Sequence, residues 1–141
     1  MKILIIVPAY NEAENIKKTI KDITENTKYD YVVIDDCSKD DTYKICIDNN
    51  INVLHLPVNY GLSSGFQLGM KLALEQGYDA AVQFDGDGQH MAEYIEVMAN
   101  EIEQGYDIVI GSRYVNEKKP FTARMLGSRI ISALIKVITG K

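Results

Sequence analysis

Five short runs rich in β-branched residues, Ile3–Pro8, Tyr31–Asp36, Ile51–Leu56, Ala80–Asp85 and Ile108–Ser112, are spread along this 141-residue chain. Several of them (Ile-Leu-Ile-Ile-Val, Tyr-Val-Val-Ile, Asp-Ile-Val-Ile) are apolar at consecutive positions. Strand side chains alternate between faces, so such runs must be covered on both sides. The intervening segments carry a helical period. Ile16, Ile20 and Ile23 follow Asn11, which is placed to N-cap a helix with Glu14 three residues on. Phe66, Met70, Ala73 and Leu74 mark a second helix, and Tyr94, Ile95, Met98 and Ile102 a third. Residues 40–49 form a shorter, weaker one. Strand and helix alternating in this way predict a doubly wound α/β fold with a mostly parallel sheet.

Composition narrows the class. A chain of this length is read as one domain spanning 1–141. It is 46% hydrophobic and 25% charged, which excludes disordered and collagen-like chains. The longest apolar run, Ile3–Val7, is far short of the roughly 20 residues a spanning helix needs. No signal-peptide pattern opens the chain, and Cys37 and Cys46 form neither a CxxC motif nor a disulfide framework. A reduced, cytoplasmic setting is expected. A pI near 5.0 makes nucleic acid a poor partner.

The charge is unevenly distributed. Residues 117–141 hold six basic residues and one acid, net +5, which leaves the first 116 residues at net −10. The final segment reads as a helix with Leu126, Ile130, Leu134, Ile135 and Ile138 on one side and Arg124, Arg129 and Lys136 interleaved. So much apolar surface calls for a further domain, another subunit or a membrane surface to cover it.

Acids gather where ligands bind in open α/β sheets, beyond the carboxyl ends of the strands. Asp35-Asp36 ends the second run and is followed by Asp40-Asp41. Asp85-Gly86-Asp87-Gly88-Gln89-His90 ends the fourth. Clustered carboxylates require a cation or hydrogen-bond donors to compensate them. The Asp85-x-Asp87 spacing suits a hard divalent ion, Mg2+ or Mn2+, with Gly86 and Gly88 leaving room for a diphosphate. A polar turn is the bland alternative. An EF-hand fails because His90 stands at the sixth loop position, where glycine is needed. Haloacid-type phosphatases and receiver domains want their acids after the first strand, which ends here in Pro8-Ala9-Tyr10-Asn11-Glu12. Gly61, Gly65 and Gly69 are not a dinucleotide fingerprint. Close helix packing is their simpler explanation.

Taken in order, Pro8-Ala9-Tyr10-Asn11-Glu12, Asp35-Asp36-Cys37-Ser38, Asn59-Tyr60-Gly61, Asp85-Gly86-Asp87-Gly88-Gln89-His90 and Gly111-Ser112-Arg113-Tyr114 resemble the inverting family-2 glycosyltransferases of GT-A fold, in particular their polyprenyl-phosphate branch. The resemblance covers nearly the whole chain. It implies that Pro8, Tyr10, Glu12, Asp36 and Asp85 hold the nucleotide, and that Asp85, Asp87 and Gln89 hold the metal and diphosphate. It also implies that Asp87 and Arg113 act catalytically on the leaving group, and that Arg113, Arg124 and Ser128 bind an acceptor phosphate. The sequence departs from the family at Cys37, often glycine, and at Met91-Ala92, often two prolines. It stops where the family usually continues. The implied reaction moves a hexose from a nucleoside-diphosphate sugar to a lipid phosphate at the cytoplasmic face of a membrane, with the C-terminal helix on the lipid or self-associating. A phosphate acceptor is already ionised near neutral pH and needs cations, not a base. No base is evident in the chain, and His90 reads as structural. A sugar-hydroxyl acceptor and a non-catalytic nucleotide-sugar-binding or oligomerising fragment are the alternatives.

Overall fold

The computed structural model describes residues 1–112 together with 131, 135, 136 and 138. Residues 1–109 form one compact unit and residues 110–141 a second. In the first unit four strands, β1 (Ile3–Ala9), β2 (Asp30–Asp35), β3 (Val53–His55) and β4 (Ala80–Gln83), alternate with four helices, α1 (Ile16–Asn26), α2 (Thr42–Asp48), α3 (Leu62–Glu75) and α4 (Tyr94–Glu103). All pairings are parallel and the strand order is β3-β2-β1-β4. The chain winds outward from β1 through β2 to β3, then crosses back to place β4 on the other side of β1. That reversal opens a crevice at the carboxyl ends of β1 and β4.

The doubly apolar runs behave as their pattern demands. All seven residues of β1 are buried. Ile5, Val7 and Ala9 pack with Ile16, Ile20 and Ile23 of α1, Cys46 of α2 and Ile95 of α4. Leu4 and Ile6 pack on the opposite face with Ala73 and the half-buried Phe66 and Leu72 of α3. Gly65 and Gly69 let α3 approach the sheet. A Cβ at Gly65 would lie 3.5 Å from Ile34 Cγ2, and one at Gly69 would lie 2.9 Å from Ile6 Cδ1 and closer still to Cγ2.

Three expectations need correction. Residues 108–112 form no strand, and Ile108 and Ile110 are 77% and 83% exposed. Asn11 is not the N-cap of α1, which begins at Ile16. It sits instead in the left-handed region at φ 57°, where asparagine is tolerated better than most residues. The buried side of α3 is Gly65, Gly69 and Ala73, while Met70 and Leu74, expected to mark its apolar face, point outward. Tyr94 is likewise exposed at the start of α4. In the second unit, Ile131, Ile135, Lys136 and Ile138 are helical and exposed. Among the described residues no helix is long and apolar enough to cross a membrane.

Candidate functional site

A cleft of about 420 Å³ opens at the carboxyl edge of the sheet. The end of β1 supplies Pro8, Ala9, Tyr10 and Glu12, the end of β2 supplies Asp36, and the loop after β4 supplies Asp85, Gly86 and Asp87. Asn59, Gly61, Leu62 and Gly65 close the side toward α3. All five residues expected to hold a nucleotide therefore meet in one concavity, with Asp87 beside them.

The turn from Tyr10 into α1 is held by its neighbour in the sheet. Asn11 Oδ1 accepts the Lys39 amide at 2.8 Å and the Asn11 amide donates to Ser38 Oγ at 2.9 Å. The Glu12 amide donates to Thr42 Oγ1 and the Ala13 amide to Asp40 Oδ2. Within the turn, Glu12 O accepts the amides of Asn15 and Ile16, and Glu12 Oε2 accepts Asn15 Nδ2. Tyr10 and Glu12 thus project from a braced loop.

The acid-rich segment after β2 proves to be compensated from within. Asp35 is fully buried on the α1–α2 side, its carboxylate shared between Ser38 Oγ and His55 Nδ1, with the Tyr43 ring 4.4 Å from the imidazole. Asp36, pointing the other way by strand alternation, accepts the Tyr60 and Gly61 amides at 2.7 and 2.8 Å. Asp40 accepts from Thr42 and from the Ala13 amide. Burial pushes its carboxyl upward, but the Thr42 hydroxyl and amide and the Ala13 amide outweigh that, and its pKa lies below the ordinary value. Hydrogen-bond donors within the protein answer the charge here. On α2, the Cys46 thiol is lifted to about 11 by burial and by the Asp35 charge, which keeps it inert.

The loop after β4 is different. Asp85 Oδ1 accepts Gln83 Nε2 at 2.9 Å and Asp87 Oδ1 accepts the Gln89 amide at 2.9 Å. The second oxygen of Asp87 has no hydrogen-bond partner among the described residues, that of Asp85 has only His90 Nε2 near it, at 3.8 Å, and both aspartates face the cleft. Two hard oxygen donors with spare valence fit a divalent ion that keeps most of its shell for phosphate and water, as Mg2+ does. No third His, Cys, Asp or Glu joins them among the described residues. Gln89 is exposed and outside the cleft lining, and its contribution to the loop is its backbone amide. His90 Nδ1 accepts the Asp85 amide and its ring meets Phe84 edge-on, the structural role expected of it. Gly86 needs its missing side chain for packing as much as for access, since a Cβ there would lie 3.1 Å from Pro8 O. Gly88 adopts φ 73°.

Arg113, Arg124 and Ser128 lie outside the described residues. No ligand-binding role was expected of Asn59, Gly61, Leu62 or Gly65, although the Asn-x-Gly spacing after β3 and the four-residue glycine repeat were visible signals for three of them.

Comparison with known proteins identifies the family and the fold. The model of glycosyl transferase family 2 matches residues 4–138. The undecaprenyl-phosphate mannosyltransferase of Micrococcus luteus is 34% identical over 121 residues, covering 82% of this chain and 49% of that protein. The dolichol-phosphate mannosyltransferase of Pyrococcus furiosus is 34% identical over 142 residues, covering 93% and 40%. The chain thus spans about half the length of the curated relatives it matches. S. aureus TarS 1-349 in complex with UDP superposes with TM-score 0.53 at 28% identity, covering 74% of this chain and 32% of that one. Glucosyl-3-phosphoglycerate synthase of Mycobacterium tuberculosis, solved with Mn2+ and UDP, shares the fold at TM-score 0.58 and 22% identity, covering 72% and 39%. These neighbours are GT-A glycosyltransferases, the fold class the strand pattern and motifs led us to expect. With its cleft at the carboxyl ends of β1, β2 and β4 and the family model running almost end to end, the chain belongs to glycosyl transferase family 2.

Proposed function

We propose that this chain provides the donor site of an enzyme that transfers a hexose from a nucleoside-diphosphate sugar to a polyprenyl phosphate, with inversion at the anomeric carbon. The observation that carries the donor half is the meeting of Asp85 and Asp87 with Pro8, Tyr10, Glu12 and Asp36 around one cleft. The acceptor half is supported by relatives named as polyprenyl-phosphate sugar transferases and by the net +5 of the last 25 residues.

In this reading Tyr10 and Asp36 flank the nucleoside and Glu12 closes the turn beneath it. Asp85 and Asp87 would hold Mg2+ or Mn2+, with the Gln89 amide fixing Asp87, and such an ion would supply positive charge against the departing diphosphate. Arg113 adds a second cation on that leaving group and, with Arg124 and Ser128, receives the acceptor phosphate. That acceptor needs positioning, not deprotonation. The C-terminal helix lays Ile131, Ile135 and Ile138 on lipid at the cytoplasmic face or against a second copy.

The test is thermal stabilisation of the chain by UDP, GDP and their sugars with Mn2+, with and without a chelator. Stabilisation that the chelator removes is expected, and it should disappear in Asp87→Ala while the unliganded melting temperature stays near wild type, because a surface turn carries little packing energy. Full metal-dependent stabilisation of Asp87→Ala would put the metal elsewhere.

A further inference from the structure

Helix α1 lies behind the loop that carries Asp85 and Asp87, and two of its polar residues hold that loop. Thr19, 2% exposed, donates its hydroxyl to Gly86 O at 3.1 Å. One turn on, Asp22 Oδ2 accepts the Ala92 amide at 2.9 Å, while its other oxygen accepts Asn26 Nδ2. The spacing of three puts both on one side of the helix. The loop is thereby pinned at each end, with Asp87 and the positive-φ Gly88 between the pins. Gly88 passes directly over the threonine, since a Cβ there would lie 3.8 Å from Thr19 Oγ1. The same helix follows directly on the turn that carries Tyr10 and Glu12. One helix therefore links the turn after β1 to the loop after β4.

We infer that Thr19 is a positioning residue for the acidic loop: its hydroxyl sets where Asp85 and Asp87 stand relative to Glu12, and Asp22 fixes the loop's return. The inference rests on the reading of Asp85 and Asp87 as the metal pair, but its structural half does not. Gly86 is buried, and Thr19 is the one side-chain donor to its carbonyl among the described residues, so its loss leaves a buried carbonyl without that partner. Relief comes from loop movement, which displaces Asp85 and Asp87.

Thr19→Val removes the donor and keeps the shape, whereas Thr19→Ser keeps the donor and removes a methyl. If Thr19 only fills space, serine is the worse substitution. If it positions the loop, valine is. Hydrogen exchange of amides 85–92 in the metal-free chain should quicken about tenfold in Thr19→Val and change little in Thr19→Ser, the scale of one buried hydrogen bond. Titration of Mn2+ with UDP, and separately with GDP, should show about tenfold weaker binding in Thr19→Val and near-wild-type binding in Thr19→Ser. Exchange in Thr19→Val equal to wild type, or a larger effect from serine than from valine, would overturn the inference. Quickened exchange in a chain whose wild type binds no metal–nucleotide would uphold the positioning role and remove the metal reading instead.

Discussion

The carboxylate of Asp36 is bound at 2.8 Å by the amide of Gly61, twenty-five residues away at the entrance to α3, and by the Tyr60 amide on its other oxygen. A strand-end acid that lines the cleft thus also fastens the loop that walls it. The family resemblance assigns Asp36 to the nucleotide, and the structure gives it a second, structural duty.

Asp36→Asn separates the two. An amide cannot accept from both Tyr60 and Gly61, because its NH2 group faces a backbone donor. At 5% exposure that mismatch is not relieved by water. We expect a stability loss of about 1–3 kcal/mol, read in urea unfolding, together with weaker nucleotide binding and little change in Mn2+ affinity. Unchanged stability would mean the two amides are satisfied elsewhere.

The glycines of α3 give a paired prediction with opposite signs. Gly69→Ala drives a methyl into Ile6, fully buried in the central strand, and should destabilise by about 1–3 kcal/mol through overpacking, less the helix preference of alanine. Gly65→Ala meets Ile34 at ordinary contact distance and should stabilise by about 0.5–1 kcal/mol. Melting curves of the two variants decide it, and equal effects would refute the packing account.

These cases show which parts of the molecule the sequence made legible. Ile3–Val7 announced a strand covered on both sides because five successive apolar residues leave no face for water, and β1 is buried throughout. The acids at strand ends announced the cleft for the same topological reason. Ile108–Ser112 has the same local composition, yet Ile108 and Ile110 are exposed. Strand propensity measures fit to a neighbouring surface, and no ladder partner is recorded in the sequence. Asn11 misled because asparagine favours both helix N-caps and left-handed turns, and only the Lys39 amide across the loop selects the turn. Thr19 gave no signal at all, since its partner is a backbone carbonyl sixty-seven residues away.

Asp40 makes stability depend on pH in one direction. Its folded pKa is below the ordinary carboxylate value, burial being outweighed by the Thr42 and Ala13 donors. Its contribution is therefore complete above the unfolded value of about 3.9 and lost as pH falls through the lower folded one. Asp40→Asn should be less stable than wild type at pH 7, with the gap closing progressively below about pH 4. Urea unfolding of both proteins across that range measures it. A gap independent of pH would mean that Asp40 acts by shape and not by charge.

The acceptor half of the proposed reaction is tested at Arg124. Arg124 and Ser128 are four residues apart in the most basic segment of the chain. If they receive an acceptor phosphate, removing the guanidinium should harm transfer far more than it harms the donor site. In protein active for transfer, Arg124→Ala should lower the rate to a polyprenyl phosphate by on the order of a hundredfold, the scale of one positioned charged donor. Hydrolysis of the sugar donor by water should change much less. The two rates, measured on one preparation with radiolabelled donor sugar, separate the roles. Equal losses would assign Arg124 to the donor or to the fold, and undiminished transfer to a sugar hydroxyl would remove the phosphate from the acceptor site.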